Sequence, residues 1–262
     1  MSRLRRLAAV LSALAVAASL SSCGGSSGSK GGASSGGAAK VTLKVYAAAS
    51  LTESFGEIKK SYEAAHPNVK IVYTFAGSQD LVDQLSNGAS GDVLATADEP
   101  TMEKAAKEGL AGEQRKFASN TLVLITPKGN PAGVKGLDSS LGGAKLVICA
   151  KKEKVPCGTA THKLAQKLGV TLKPVSEEQK VTDVRGKVEA GEADAGIVYR
   201  TDASGKKVDT IEIPGADQIV NTYPIAPVKA SEHAAEAKEF VDYVMSAEGQ
   251  KSLKKYGFGS VK

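Results

Sequence analysis

The stretch Val45-Tyr46-Ala47-Ala48-Ala49-Ser50-Leu51-Thr52-Glu53 reads as an apolar strand that runs through three alanines into a serine and then a helix. Leu51, Phe55, Ile58 and Tyr62 recur at helical spacing, and Pro67 marks the stop. Small residues at such a junction leave room for a group to sit against the free N–H groups of the first helical turn. The helix dipole favours an anion there. A second junction of the same kind follows at Phe75-Ala76-Gly77-Ser78-Gln79. Ser50-Leu51-Thr52-Glu53 also matches a capping box, and Ser78 after Gly77 fits an N-cap. A hydroxyl can accept from the backbone and donate to a ligand at once, so the two roles are compatible.

Outward from these junctions, strands and helices alternate. Strands are expected at 41–46, 69–75, 92–96, 121–126, 145–150 and 193–199, with an edge strand at 209–213. Helices are expected at 79–89, 100–110, 159–168 and 181–190, and a late one carries Ala237, Phe240, Val241, Val244 and Met245 on one face. The first three strand–helix units call for a parallel sheet covered on both faces, with ligands at the carboxyl ends of its strands. Pro127-Lys128-Gly129-Asn130-Pro131 is the expected crossing into a second lobe, and Tyr223-Pro224-Ile225-Ala226-Pro227 the return. The expected fold class is α/β with two hinged lobes, each a mostly parallel sheet flanked by helices. Lobe 1 takes 41–126 plus 222–262, and lobe 2 takes 127–221.

At 42% hydrophobic and 24% charged residues, a chain of 262 can bury a substantial core. Arg3, Arg5 and Arg6 precede an apolar run from Leu7 to Leu20 that is too short to span a bilayer. The run ends in Leu20-Ser21-Ser22-Cys23, which resembles a bacterial lipobox. Residues 1–22 therefore read as a lipoprotein signal peptide, and 23–40 as a lipidated Cys23 with a Gly/Ser tether. The protein is expected outside the cytoplasm, held to the cell membrane through the lipid alone. Removing 1–22 takes away three arginines and no acid, so the formal +6 becomes +3. That small excess, with no Trp and no basic stripe, argues against nucleic acid. His66, His162 and His233 share no metal-ligand spacing. Neither serine lies in G-x-S-x-G, and no histidine is placed to activate one, so a secreted serine hydrolase is disfavoured and no enzyme is expected.

Several linked segments in order carry a resemblance. They are the two junctions, then Gly91-Asp92-Val93-Leu94-Ala95-Thr96-Ala97-Asp98, Ala118-Ser119-Asn120-Thr121-Leu122-Val123-Leu124, Val155-Pro156-Cys157-Gly158 and Gly191-Glu192-Ala193-Asp194-Ala195-Gly196-Ile197-Val198-Tyr199. Together they resemble the molybdate-binding proteins of bacterial ABC importers over 41–262, which implies the type II periplasmic-binding-protein fold. The resemblance implies a tetrahedral oxyanion held by neutral donors: hydroxyl and N–H from Ser50 and Ser78, the N–H of Cys157, a valine N–H, and the Tyr199 hydroxyl. Cys157 stands where the family usually has alanine. A gap-free count back from Tyr199 selects Val181, and also aligns Val188 and Glu192, whereas the local string Asp183-Val184-Arg185-Gly186 suggests Val184. Val181 is preferred. The implied ligand is molybdate, with tungstate or sulfate as alternatives, and no cofactor. The implied partners are an ABC permease and its ATPase subunit, with the binding protein a monomer. A pocket without a carboxylate acceptor favours an oxyanion that carries no proton, and without lysine or arginine it relies on many dipoles aimed at one centre. Cys149 and Cys157 are the two cysteines of the exported domain, so an oxidising compartment points to a disulfide between them, with two buried thiols as the alternative.

Overall fold

The computed structural model describes residues 40–203 and 207–261. The signal peptide, Cys23 and the tether lie outside the described residues. The strands are β1 (Val41–Ala48), β2 (Val69–Ala76), β3 (Val93–Ala95), β4 (Arg115–Asn120), β5 (Leu122–Pro127), β6 (Leu146–Cys149), β7 (Ser176–Glu178), β8 (Ala195–Tyr199), β9 (Val208–Ile211) and β10 (Asn221–Pro227). The helices are α1 (Thr52–Ala65), α2 (Ser78–Ser86), α3 (Glu99–Lys107), α4 (Pro156–Leu168), α5 (Val181–Glu189), α6 (Arg200–Ala203), α7 (Ala234–Met245) and α8 (Ala247–Lys255).

Two five-stranded sheets result, in the orders β2-β1-β3-β10-β4 and β7-β6-β8-β5-β9. Both are mixed. In the first, β1 pairs parallel with β2 and β3, while β10 runs antiparallel between β3 and β4. In the second, β6 pairs parallel with β7 and β8, while β5 runs antiparallel between β8 and β9. Four strands of each sheet thus share one direction, and the reversed strand in each is one of the two that carry the chain across.

Membership of β5 in the second sheet corrects the expected boundary after Thr126. The chain leaves the first sheet at Asn120 and enters the second at Leu122, so a single residue makes the crossing. The Pro127–Pro131 segment is instead a tight turn: the Asn130 N–H donates to the Pro127 carbonyl at 2.9 Å, with φ +80° at Gly129 and +45° at Asn130. The expected return at 223–227 is strand β10 itself, and its Pro224 is tolerated between two neighbours because the ladder shifts register there.

The first sheet is covered on both faces. Leu43, Val45 and Ala47 of β1 belong to the main core with Phe55, Ile58 and Tyr62 of α1 and Phe240 of α7. Tyr46 and Leu94 face the other way, onto Leu81, Val82 and Leu85 of α2 and Met102 of α3. Phe55 anchors the main core, its ring within 5.8 Å of those of Tyr73 and Phe117. β1 alternates only at its start and is buried from Val45 to Ala48, as a strand between two helical layers should be. Its Ala47–Ala48 end is therefore held between the layers. Among the described residues no helix is long and apolar enough to cross a membrane.

Candidate functional site

Beyond Ala48 the chain makes a 3-10 turn (Ala49–Leu51) before α1 begins. The inserted turn shifts the helix start, so Leu51 takes the N-cap position, with no side-chain cap. Ser50, inside the turn and 7% exposed, lies 3.0 Å from the Tyr223 hydroxyl through its Oγ. The capping-box expectation for Ser50 is thus replaced by a contact with a residue 173 positions away. Ser78 likewise is the first residue of α2 and not its cap, which is Gly77. The Ser78 Oγ accepts the Ala97 N–H at 3.0 Å.

From the second lobe, α4 opens with Pro156, so its first available N–H is that of Cys157. A disulfide joins Cys157 to Cys149 at the end of β6, with a Cα separation of 5.7 Å. Gly158 lets the loop fold back tightly, since a Cβ there would lie 2.4 Å from the Ala150 carbonyl oxygen. α5 begins at Val181 after Lys180. Tyr199 closes β8, is 1% exposed, and accepts a hydrogen bond from Asn221 Nδ2 at 2.9 Å. Burial first, and then the nearby Tyr223, Asp98 and Asp202, push the Tyr199 hydroxyl well above the usual phenol range, so it stays protonated.

These pieces enclose one small cavity. Ser50, Ser78, Cys157, Val181 and Tyr199 all line it, with Ala48, Ala49, Ala76, Gly77, Ala97, Val155, Pro156 and Lys180 completing the wall. Val184 does not reach it; that side chain is fully buried against Gly196 and α5's own sheet. The cavity measures ≈ 20 Å³, room for one compact group and not for an extended ligand. Four helical N-termini open onto it, two from each lobe, and none is capped by a side chain. By contrast Asp98 caps α3 and Ser246 caps α8. First-turn N–H groups have no partner within their own helix, so those at the cavity are available to an occupant.

Among the described residues no acidic one lines the cavity, and the one cation is Lys180, which departs from the expectation of a pocket without lysine and is paired with Asp183 at 3.5 Å. The nearest carboxylate in sequence, Asp98, turns away to accept the Thr101 N–H at 3.1 Å. At the mouth, Gln79 Nε2 of the first lobe donates to the Gln179 carbonyl of the second at 3.2 Å. A Cβ on Gly77 would lie 2.5 Å from that same carbonyl oxygen, so only glycine fits. The histidines lie elsewhere: His66 stacks on Tyr62 with ring centroids 4.0 Å apart, His162 bonds the Gly158 carbonyl, and His233 precedes α7. Among the described residues no group of three His, Cys, Asp or Glu could hold a metal ion. Asn120, Asn221 and Tyr223 are not among the expected site residues, although Asn120 lies in a segment that carries the resemblance and Tyr223 in the expected return; their polar groups are buried, and their roles depend on contacts across the two sheets.

Two α/β lobes meeting over a small, donor-lined, acid-free cavity define a binding protein for a compact anion. The sequence pattern of bacterial extracellular solute-binding proteins matches residues 43–259, and the chain belongs to that family. It is 42% identical over 221 residues to the molybdate-binding protein ModA of Mycobacterium tuberculosis, covering 83% of this chain and 84% of the relative. It is 32% identical over 231 residues to ModA of Escherichia coli, covering 82% and 88%. The periplasmic molybdate-binding protein of Azotobacter vinelandii shares the fold with a TM-score of 0.74 at 20% identity, covering 84% of this chain and all of the other.

Proposed function

We propose that this protein binds molybdate outside the cytoplasm and delivers it to an ABC-type importer. The observation that carries the proposal is the convergence of four uncapped helix N-termini and three buried hydroxyls on one cavity without an acidic wall. Ser50, Ser78 and Tyr199 supply hydroxyl donors, while Ser50, Ser78, Cys157 and Val181 supply backbone N–H groups. Such a site attracts a compact dianion through dipoles and offers no acceptor to a bound proton, so hydrogen phosphate is penalised by an unpaired O–H. Neither serine has a base beside it: Ser50 meets Tyr223, and Ser78 meets the Ala97 N–H. Binding without chemistry is the consistent reading.

The lobes move as units about the crossings at 120–122 and 212–221, closing over the anion. Cys23 carries the lipid, and the Gly/Ser tether lets the binding protein, a monomer, reach the permease and its ATPase subunit at the membrane surface. Thermal denaturation in the presence of molybdate, tungstate, sulfate and phosphate tests the assignment, because a ligand that binds only the folded state raises the melting temperature by mass action. Molybdate should give the largest rise, with tungstate beside it and phosphate none. A larger rise with sulfate would reassign the ligand, and no rise with any of the four would overturn the site.

A further inference from the structure

We infer that Asn120 and Asn221 are positioning residues for this site, fixing the direction in which the Tyr199 and Ser50 hydroxyls donate. The inference rests on the oxyanion site proposed above. The two asparagines are register partners on β4 and β10, at the two places where the chain passes between lobes. Both are buried, at 4% and 9% exposure.

Their amide orientations follow from neighbours whose roles are fixed. A backbone carbonyl can only accept, so the Asn221 atom 3.1 Å from the Ala97 oxygen is Nδ2. The same Nδ2 reaches the Tyr199 hydroxyl at 2.9 Å, making that oxygen an acceptor, so its own proton turns either to the neighbouring Tyr223 hydroxyl or, with an anion present, into the cavity. A backbone N–H can only donate, so the Asn120 atom that meets Thr121 N at 3.0 Å is Oδ1. Its Nδ2 therefore faces Thr201 Oγ1 at 2.8 Å and the Tyr223 hydroxyl at 3.4 Å. Either oxygen of the Ser50–Tyr223 pair, 3.0 Å apart, could donate; with its oxygen accepting from Asn120, Tyr223 is assigned here as the donor to Ser50 Oγ, which leaves Ser50 to donate inward. Ser78 needs no such help, because the Ala97 N–H already occupies its acceptor side. In this assignment all three cavity hydroxyls have an acceptor side filled from behind, two of them through asparagines. The preorganisation favours an anion that only accepts.

Double-mutant cycles read by calorimetry with sodium molybdate test the inference. Asn221→Ala should weaken binding about 10- to 100-fold in the wild type, the scale of a hydrogen bond to a charged group. In a Tyr199→Phe background the same change should cost less than about threefold, because the hydroxyl it orients is gone. Asn120→Ala should behave likewise against Ser50→Ala. A role confined to holding the hinge together would give equal losses in both backgrounds, and that result would refute the inference. Circular dichroism checks folding. Should the alanine variants not fold, Asn120→Asp and Asn221→Asp keep the shape but replace a donor with an acceptor. They should weaken binding further than alanine, and unchanged affinity in both would equally refute it. Wild-type protein that binds no oxyanion would instead overturn the proposed function itself.

Discussion

Replacing Ser78 by alanine should cost the protein twice, and the two losses can be measured apart. Without ligand, Ser78 Oγ accepts the N–H of Ala97, and both residues are buried, at 1% and 4% exposure. Removing the hydroxyl leaves that N–H with a methyl group opposite it. The penalty for a buried unpaired donor is about 1–3 kcal/mol. At roughly 2–4 °C per kcal/mol for a domain of this size, the unliganded melting temperature should fall by about 2–12 °C. With ligand, the inward proton is lost as well, worth about 1.5–3 kcal/mol to a charged acceptor. The dissociation constant for molybdate should then rise by roughly 10- to 150-fold. Val181→Ala is the control. Its side chain is 4% exposed, so stability should fall, but its proposed part in the cavity is a backbone N–H, which the substitution keeps. Affinity should then stay within about twofold. Differential scanning fluorimetry without ligand and calorimetry with molybdate give the two readings. If Ser78→Ala binds molybdate within twofold of wild type, the hydroxyl does not touch the anion and the donor assignment fails.

Three further outcomes follow from contacts around the site. Converting Cys149 and Cys157 to serine opens a loop of sequence separation 8. In the chain-entropy account this removes about 2.5 kcal/mol, so the melting temperature should drop by roughly 5–10 °C; an unchanged value would mean the bridge does not stabilise the fold. Asp98→Asn should raise stability at neutral pH, since asparagine also caps helices and carries no charge to desolvate. Burial holds the Asp98 carboxyl above the usual range, against the opposing hydrogen bonds from Thr101. A raised folded-state value for an acid favours folding at low pH, and that contribution fades as pH climbs through the folded value. The advantage of Asn over Asp in melting temperature should therefore grow on going from about pH 3 to pH 7, and a flat difference would contradict the burial argument. Gln79→Ala removes the bond across the mouth to the Gln179 carbonyl. Stopped-flow release of molybdate should quicken by about fivefold, the equivalent of about 1 kcal/mol; an unchanged release rate would show that the bond does not hold the lobes closed.

Much of the site was legible because it is built from local signals. A strand ending in Ala47-Ala48-Ala49 and a Gly77-Ser78 turn each announce a helix start with space before it, and both lie at the cavity. What the sequence does not carry is competition from afar. Ser50-Leu51-Thr52-Glu53 matches a capping box as well as any sequence can, yet the Ser50 Oγ meets Tyr223. The boundary between lobes was misplaced for a related reason. Pro and Gly mark backbone turns, and 127–131 is indeed a turn, whereas the true crossing at Asn120–Leu122 runs from strand to strand with nothing to punctuate it. β4 escaped notice because Arg115-Lys116-Phe117-Ala118-Ser119-Asn120 lacks β-branched residues. β7 escaped because Ser176-Glu177-Glu178 is short and charged, its Glu178 paired with Lys187. The reversed direction of β5 and β10 follows from how the chain passes between sheets, which no local pattern encodes.

The reversed strands also tie the site's chemistry to its mechanics. β5 begins at Leu122, opposite Tyr199 in the ladder, and β10 begins at Asn221, opposite Asn120. The residues that hold the Tyr199 and Ser50 hydroxyls are thus the ones at which the chain changes lobe. Asn221 itself joins a carbonyl of the first lobe, Ala97, to a hydroxyl of the second, Tyr199. Rotation of one lobe against the other must stretch or break that bridge, and with it the polarity of a donor that faces the anion. A ligand shifts a conformational equilibrium only by its difference in affinity for the two states. On the proposed site, a closed arrangement would gain that difference from two sources at once: donors from both lobes would reach one centre, and the bridge that aims one of them would be complete. Lobe closure and anion recognition therefore share hydrogen bonds, so a substitution at Asn221 should alter both together.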